Sequence, residues 1–162
     1  MKDYDEILVA LRRITRAIDL HSKRLQKETG LTTSQLLVMD IISKLGSPSP
    51  STIAREMVLS QATVTSLLDR LTKSELVVRI KSDQDKRSVT VDLTERGREL
   101  VSHAPELLQA GFLKEYRKLP DWQRHSLIAS LQQIAYMMDA EQLDASPILD
   151  TGELHHHPDQ PL

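Results

Sequence analysis

The side chains best suited to chemistry in this sequence fall in two short runs. Ser60, Gln61, Ala62, Thr63, Thr65 and Ser66 are small or polar and crowd the start of one apolar-periodic segment. Hydroxyls and amides of this size hydrogen-bond to base edges in a major groove, and Ala62 or a threonine methyl can touch a thymine methyl. The second run, Lys81–Ser88, sets Lys81, Lys86 and Arg87 against Asp83 and Asp85. A planar guanidinium such as that of Arg87 suits the narrow, negative minor groove of A/T-rich duplex. Asp85, two residues earlier, can hold that arginine through an ion pair, while Ser60 and Arg70 are expected at phosphates. Each run also has a plainer reading. One is a solvated helix face, the other a hairpin tip whose exposed ion pair is worth little.

Other chemistries find less support. There is no cysteine, which excludes disulfides, thiolate metal sites and cysteine redox sensing. No glycine-rich phosphate loop, His-Glu-X-X-His or Gly-X-Ser-X-Gly motif is present, so no enzyme is expected. Of six histidines, His155, His156 and His157 are adjacent in a polar tail, and His21, His103 and His125 stand on three separate segments at no ligand spacing. A metal-responsive regulator is therefore an alternative reading only, and no cofactor is expected.

The elements that must position the two runs are readable from periodicity. Val64, Leu67, Leu68 and Leu71 recur at i, i+3, i+4 and i+7, which predicts a helix over 60–74 with Ser60 as N-cap. Leu76–Ile80 and Val89–Leu93 read as strands, the second alternating Val89, Val91 and Leu93 with Thr90 and Asp92. Upstream, Ser49 and Pro50 open a short helix to Met57, and Val58-Leu59 is the tight turn between the two helices. A helix pair followed by a basic-tipped hairpin is a winged helix-turn-helix.

Flanking this centre, 5–27 is one long helix candidate carrying Ile7, Leu11, Ile14, Ile18 and Leu25. Ser34–Leu45 is apolar nearly all round and is expected to be buried. Thr94 caps a helix running to about Lys118, kinked at Pro105, and Pro120–Met138 is the last helix. The long helices carry more apolar stripe than one small core needs. A mainly α fold follows, organised as a domain over 1–139. Its DNA-binding lobe spans about 32–97, its long helices about 5–28 and 94–139, and a flexible acidic tail covers 140–162.

At 162 residues, 40% apolar and 27% charged, the chain is long enough for a real core. No apolar run approaches the ~20 residues of a membrane span, and the N-terminus is too acidic and polar for a signal peptide. A cytoplasmic protein without a membrane partner is expected. The formal charge of −2 conceals an asymmetry, because six acids and no Lys or Arg lie from Asp139 onward. Residues 1–138 keep all 21 basic residues against 17 acids, a formal +4. Local positive potential matters more for phosphate binding than whole-chain charge.

The run ATVTSLLDRL, followed by VVR, DQDKRS and LTERG, resembles the MarR family of winged helix-turn-helix transcription regulators. Asp85-Lys86-Arg87 matches the family's Asp-X-Arg at the wing, and Leu93-Thr94-Glu95-Arg96-Gly97 its Leu-Thr-X-X-Gly. The likeness covers about the first 140 residues, with the signature in Thr32–Gly97. It implies a homodimer built from the long helices, a pseudo-palindromic double-stranded DNA operator and, most often, repression. It also implies a small-molecule effector pocket between the dimer helices and the lobe, lined here by Ile14, Ile18, His21 and Met39. Members often place glycine in the turn that Val58 occupies. The stretch RRITRAIDLHSKRLQKETGLTTSQLLVMDII, with LDASPIL near the end, further resembles a branch that regulates synthesis of compatible solutes such as ectoine, implying a response to osmotic stress. The competing class is a winged-helix protein-interaction module without DNA binding.

Overall fold

A computed structural model describes residues 2–81, 88–143 and 145–150. Along the chain run α1 (Asp3–Thr29), α2 (Thr33–Leu45), α3 (Pro50–Met57), α4 (Gln61–Lys73), β1 (Val77–Lys81), β2 (Val89–Leu93), α5 (Glu95–His103), α6 (Leu108–Tyr116) and α7 (Asp121–Met137). Among the described residues the fold is mainly helical with one two-stranded antiparallel sheet, as the sequence predicts.

One expected element divides in two. The helix predicted from Thr94 to Lys118 stops at His103, and a second begins at Leu108. Pro105 has no N–H for the ladder, and its ring pushes the preceding residue out of the helical region. Ala104 accordingly sits at φ −67°, ψ 147°. The proline therefore breaks the helix instead of kinking it.

Burial concentrates around α2, which packs on α3, α4, α5 and β2. A capping box opens it: Thr32 Oγ1 accepts from the Gln35 N–H at 3.2 Å, and Gln35 Oε1 accepts from the Thr32 N–H at 3.0 Å. Leu36, Val38, Met39 and Ile42 are buried, whereas Leu45 at its C-terminal end is about half exposed. The helix is thus deeply inserted along most of its length but surfaces at its end. Ile53, Ala54 and Met57 of α3 and Val64, Leu67, Leu68 and Leu71 of α4 close the core from the other side.

β1 and β2 pair in the register Val77↔Leu93 to Lys81↔Val89. Val91 also donates to the Pro48 carbonyl at 2.9 Å, which ties the hairpin to the loop before α3. The base of the hairpin is fixed by α5. Thr94 caps α5 through the Gly97 N–H (3.0 Å), donates its hydroxyl to the Glu75 carbonyl (2.8 Å) and its N–H to the Leu76 carbonyl (3.0 Å). Gly97 lies against that same Leu76 carbonyl, so close that a Cβ has no room.

Outside the lobe, burial is sparse. Among described residues, α1 buries only Leu25, and α6 and α7 bury none. Ile7, Leu8, Ile14 and Leu20 of α1 and Trp122, Leu131, Tyr136 and Met137 of α7 are about half exposed or more. Beyond α7, where the sequence predicts a flexible tail, Ile148 is only 7% exposed and joins the core cluster. No helix among the described residues is long and apolar enough to cross a membrane.

Candidate nucleic-acid interface

α4 is held by its apolar side and offers its polar side. Val64, Leu67, Leu68 and Leu71 are buried, while Gln61, Ala62, Thr65, Asp69 and Arg70 are exposed and Thr63 and Ser66 half-buried. Ser60 is the N-cap as predicted, its Oγ accepting from the Thr63 N–H at 3.1 Å and lying 2.8 Å from Thr63 Oγ1. Thr65 Oγ1 donates to the Gln61 carbonyl at 2.8 Å. Three of the hydroxyls on this helix are therefore engaged within its first turns. Ser66 makes no side-chain hydrogen bond among the described residues, so its hydroxyl is free to turn toward a ligand.

The entry to α4 is a turn without glycine. Val58 carries it at φ 53°, ψ 45°, 67% exposed, and the Leu59 N–H closes it on the Ala54 carbonyl at 3.0 Å. A β-branched residue in the left-handed region is a true outlier. The corner between α4 and β1 repeats the pattern, with Glu75 at φ 57°. Both corners that orient α4 are thus built on residues that resist the backbone they adopt.

The hairpin meets α4 through one polar contact that spacing along the chain does not reveal. Arg79 Nη2 of β1 lies 2.7 Å from Asp69 Oδ1. Both are substantially exposed, so the pair contributes no more than about 1 kcal/mol to stability, but it engages an arginine otherwise open to phosphates. Arg70, Lys73 and Lys81 stay exposed with no ion pair among the described residues. Lys81 ends β1, directly before the predicted wing tip; Asp85, Lys86 and Arg87 lie outside the described residues.

The four residues expected at an effector pocket are placed in different surroundings. Met39 is fully buried beneath Gly97, and Ile14 is about half exposed on α1. Ile18 and His21 are half-buried, and His21 Nε2 donates to the Glu106 carbonyl at 2.9 Å, tying α1 to the α5–α6 linker. A cavity of about 250 Å³ adjoins this linker, lined by residues including Leu36, Asp40, Val101, Pro105 and Leu107. Among the described residues no cluster of three or more His, Asp or Glu can hold a metal. His155–His157 lie outside them.

Comparison with known proteins assigns this lobe. The family model described as MarR family matches residues 31–89, from the loop before α2 to the first residue of β2. Residues 31–89 thus resemble the MarR family. Within the same region the chain is 37% identical over 89 residues to YfiV of Bacillus subtilis, an uncharacterised HTH-type transcriptional regulator, covering 55% of this chain and 54% of that one. It is 29% identical over 101 residues to the HTH-type transcriptional repressor MdtR of the same organism, covering 60% and 65%. The match thus spans little more than half to two thirds of these relatives' lengths. Both relatives are named as HTH-type regulators of transcription.

Solved structures extend the fold beyond the matched segment. A mutant of Lactococcus lactis ZitR superposes with a TM-score of 0.61 at 19% identity, covering 85% of this chain and 99% of that one. Streptococcus pneumoniae FabT, solved in complex with DNA, gives 0.54 at 21% identity over 85% and 98%. At such identities the likeness establishes the winged-helix architecture, including the long outer helices.

Proposed function

We propose that this chain is a cytoplasmic, homodimeric, sequence-specific regulator of transcription that binds double-stranded DNA and acts as a repressor. The observation that carries this reading is α4: its buried stripe fixes it in the lobe, and a small polar face opens outward from a capped N-terminus. On this reading Gln61, Ala62, Thr63, Thr65 and Ser66 line the major groove. Ser60, Arg70 and Lys81 lie near phosphates, and the wing run Asp85-Lys86-Arg87 reaches the minor groove. The repressor name of MdtR and the DNA complex of FabT support the same reading.

A second copy is the proposed cover for α1, α6 and α7. Their apolar residues are exposed in one protomer to a degree uncommon for a monomer. Two lobes joined by a two-fold axis would meet half-sites about one helical turn apart. Effector control belongs to the junction of α1, α2 and the α5–α6 linker. The osmotic reading needs no ligand: neutralising about 6–10 phosphates makes affinity fall about 10³–10⁵-fold between about 50 and 200 mM salt.

The direct test is Ser66→Ala, measured on a specific duplex and on random-sequence DNA. Loss of discrimination by at most about 1–3 kcal/mol at one base pair is expected. Equal weakening on both duplexes would refute base reading by Ser66.

A further inference from the structure

Leu107 and Ile148 bracket the C-terminal arm. Each is 7% exposed and each belongs to the core cluster, while no described side chain between them is buried. After α7, which contributes nothing to the core, the chain therefore returns to it. The return is local and shaped. Ile148 donates its N–H to the Ser146 carbonyl at 2.7 Å, and Asp150 donates to the Ile148 carbonyl at 3.1 Å. Leu149 and Asp150 are half-buried, and Ser146 Oγ is screened from solvent. A sequence of Pro, Ser and acids predicts none of this, and only the single apolar pair Ile148-Leu149 marks the site.

We infer that Ala145–Asp150 is a strap that latches the α6–α7 arm to the body of its own protomer through Ile148. An arm fixed only at Leu107 pivots about the Pro105 break. One fixed at both ends presents α6 and α7 in a set orientation. This role rests on the dimer reading, because an arm ordered beforehand loses less freedom when a second copy docks on it. Leu143, 70% exposed on the same connection, has no such part.

The test is limited proteolysis of the full chain with chymotrypsin, alongside sedimentation, for wild type, Ile148→Ala and Leu143→Ala. In wild type, cleavage after Leu149 should be at least about tenfold slower than after Leu143. Ile148→Ala should abolish that protection, leave the Leu143 site unchanged and raise the dimer dissociation constant about tenfold; Leu143→Ala should leave both protection at Leu149 and dimerisation intact. Equal cleavage at the two leucines in wild type, or protection retained in Ile148→Ala, overturns the strap. Lost protection with an unchanged dissociation constant overturns its role in ordering the arm. A wild type that stays monomeric at micromolar concentration overturns the dimer reading, and proteolysis then still decides the strap by itself.

Discussion

Replacing Gly97 by alanine should damage the lobe far more than one methyl group suggests. A Cβ at this position enters the Leu76 carbonyl oxygen, with the Leu76 carbonyl carbon at 3.1 Å and Met39 Cε at 3.4 Å. The methionine end can turn aside, but backbone cannot. Relief requires α5 to move off the α4–β1 corner. That movement loosens the Thr94 N–H on the Leu76 carbonyl (3.0 Å) and the Thr94 hydroxyl on the Glu75 carbonyl (2.8 Å). Overpacking costs about 1–3 kcal/mol and a weakened hydrogen bond about 0.5–1.5 kcal/mol, giving a loss of roughly 2–4 kcal/mol. For a chain of this size each kcal/mol lowers the midpoint by about 2–4 °C. Urea and thermal unfolding followed by circular dichroism, at one fixed protein concentration because association shifts apparent stability, provide the assay. Ser102→Ala, exposed on the same helix, should stay within about 0.5 kcal/mol of wild type. A Gly97→Ala protein equally close to wild type would refute the close approach of α5 to the α4–β1 corner.

Val58→Asn should have the opposite sign. Asparagine tolerates the left-handed region that valine resists, and the exposed valine side chain gives up little packing, so a gain of about 0.5–1 kcal/mol is expected in the same unfolding assay. Asp69→Asn removes the partner of Arg79; stability should change by less than about 1 kcal/mol, and nonspecific DNA affinity measured at low salt should rise as one arginine is released and one acid removed. Truncation after Met138, assayed at protein concentrations well above the dimer dissociation constant, should leave specific binding intact or slightly stronger at low salt, since six acids leave with the tail. The same truncation should reduce dimerisation if Ile148 latches the arm, which sedimentation reads separately from DNA binding.

The elements that position the interface are legible in the sequence because short-range physics specifies them. Ser60, Ser49 and Thr94 are caps whose hydroxyls meet the N–H groups three residues on. The Val64–Leu71 stripe has only one way to be buried. The Thr32–Gln35 box is not among the expected caps, although Thr-X-X-Gln before an apolar run carries its signal; the sequence reads there only as a break at Gly30 and Thr32-Thr33. Pro105 marks a discontinuity in the chain, but whether a proline kinks or ends a helix depends on the packing on either side. Here Leu107 turns inward and α6 restarts beyond it. The Asp69–Arg79 pair and the return of Ile148 depend on tertiary approach, for which no spacing rule exists. The effector residues rest on resemblance alone, and their surroundings range from the wholly buried Met39 to the exposed Ile14.

Sequence-specific DNA binding by α4 and the wing is most directly tested by selecting bound duplexes from sheared genomic DNA with the full-length protein, then sequencing them. The expected result is enrichment of one pseudo-palindromic motif with half-sites about one helical turn apart. That enrichment should disappear in Arg87→Ala, whose residual binding should show a flatter salt dependence. Recovery of no common motif by the wild-type protein, or the same motif recovered undiminished by Arg87→Ala, would contradict the account.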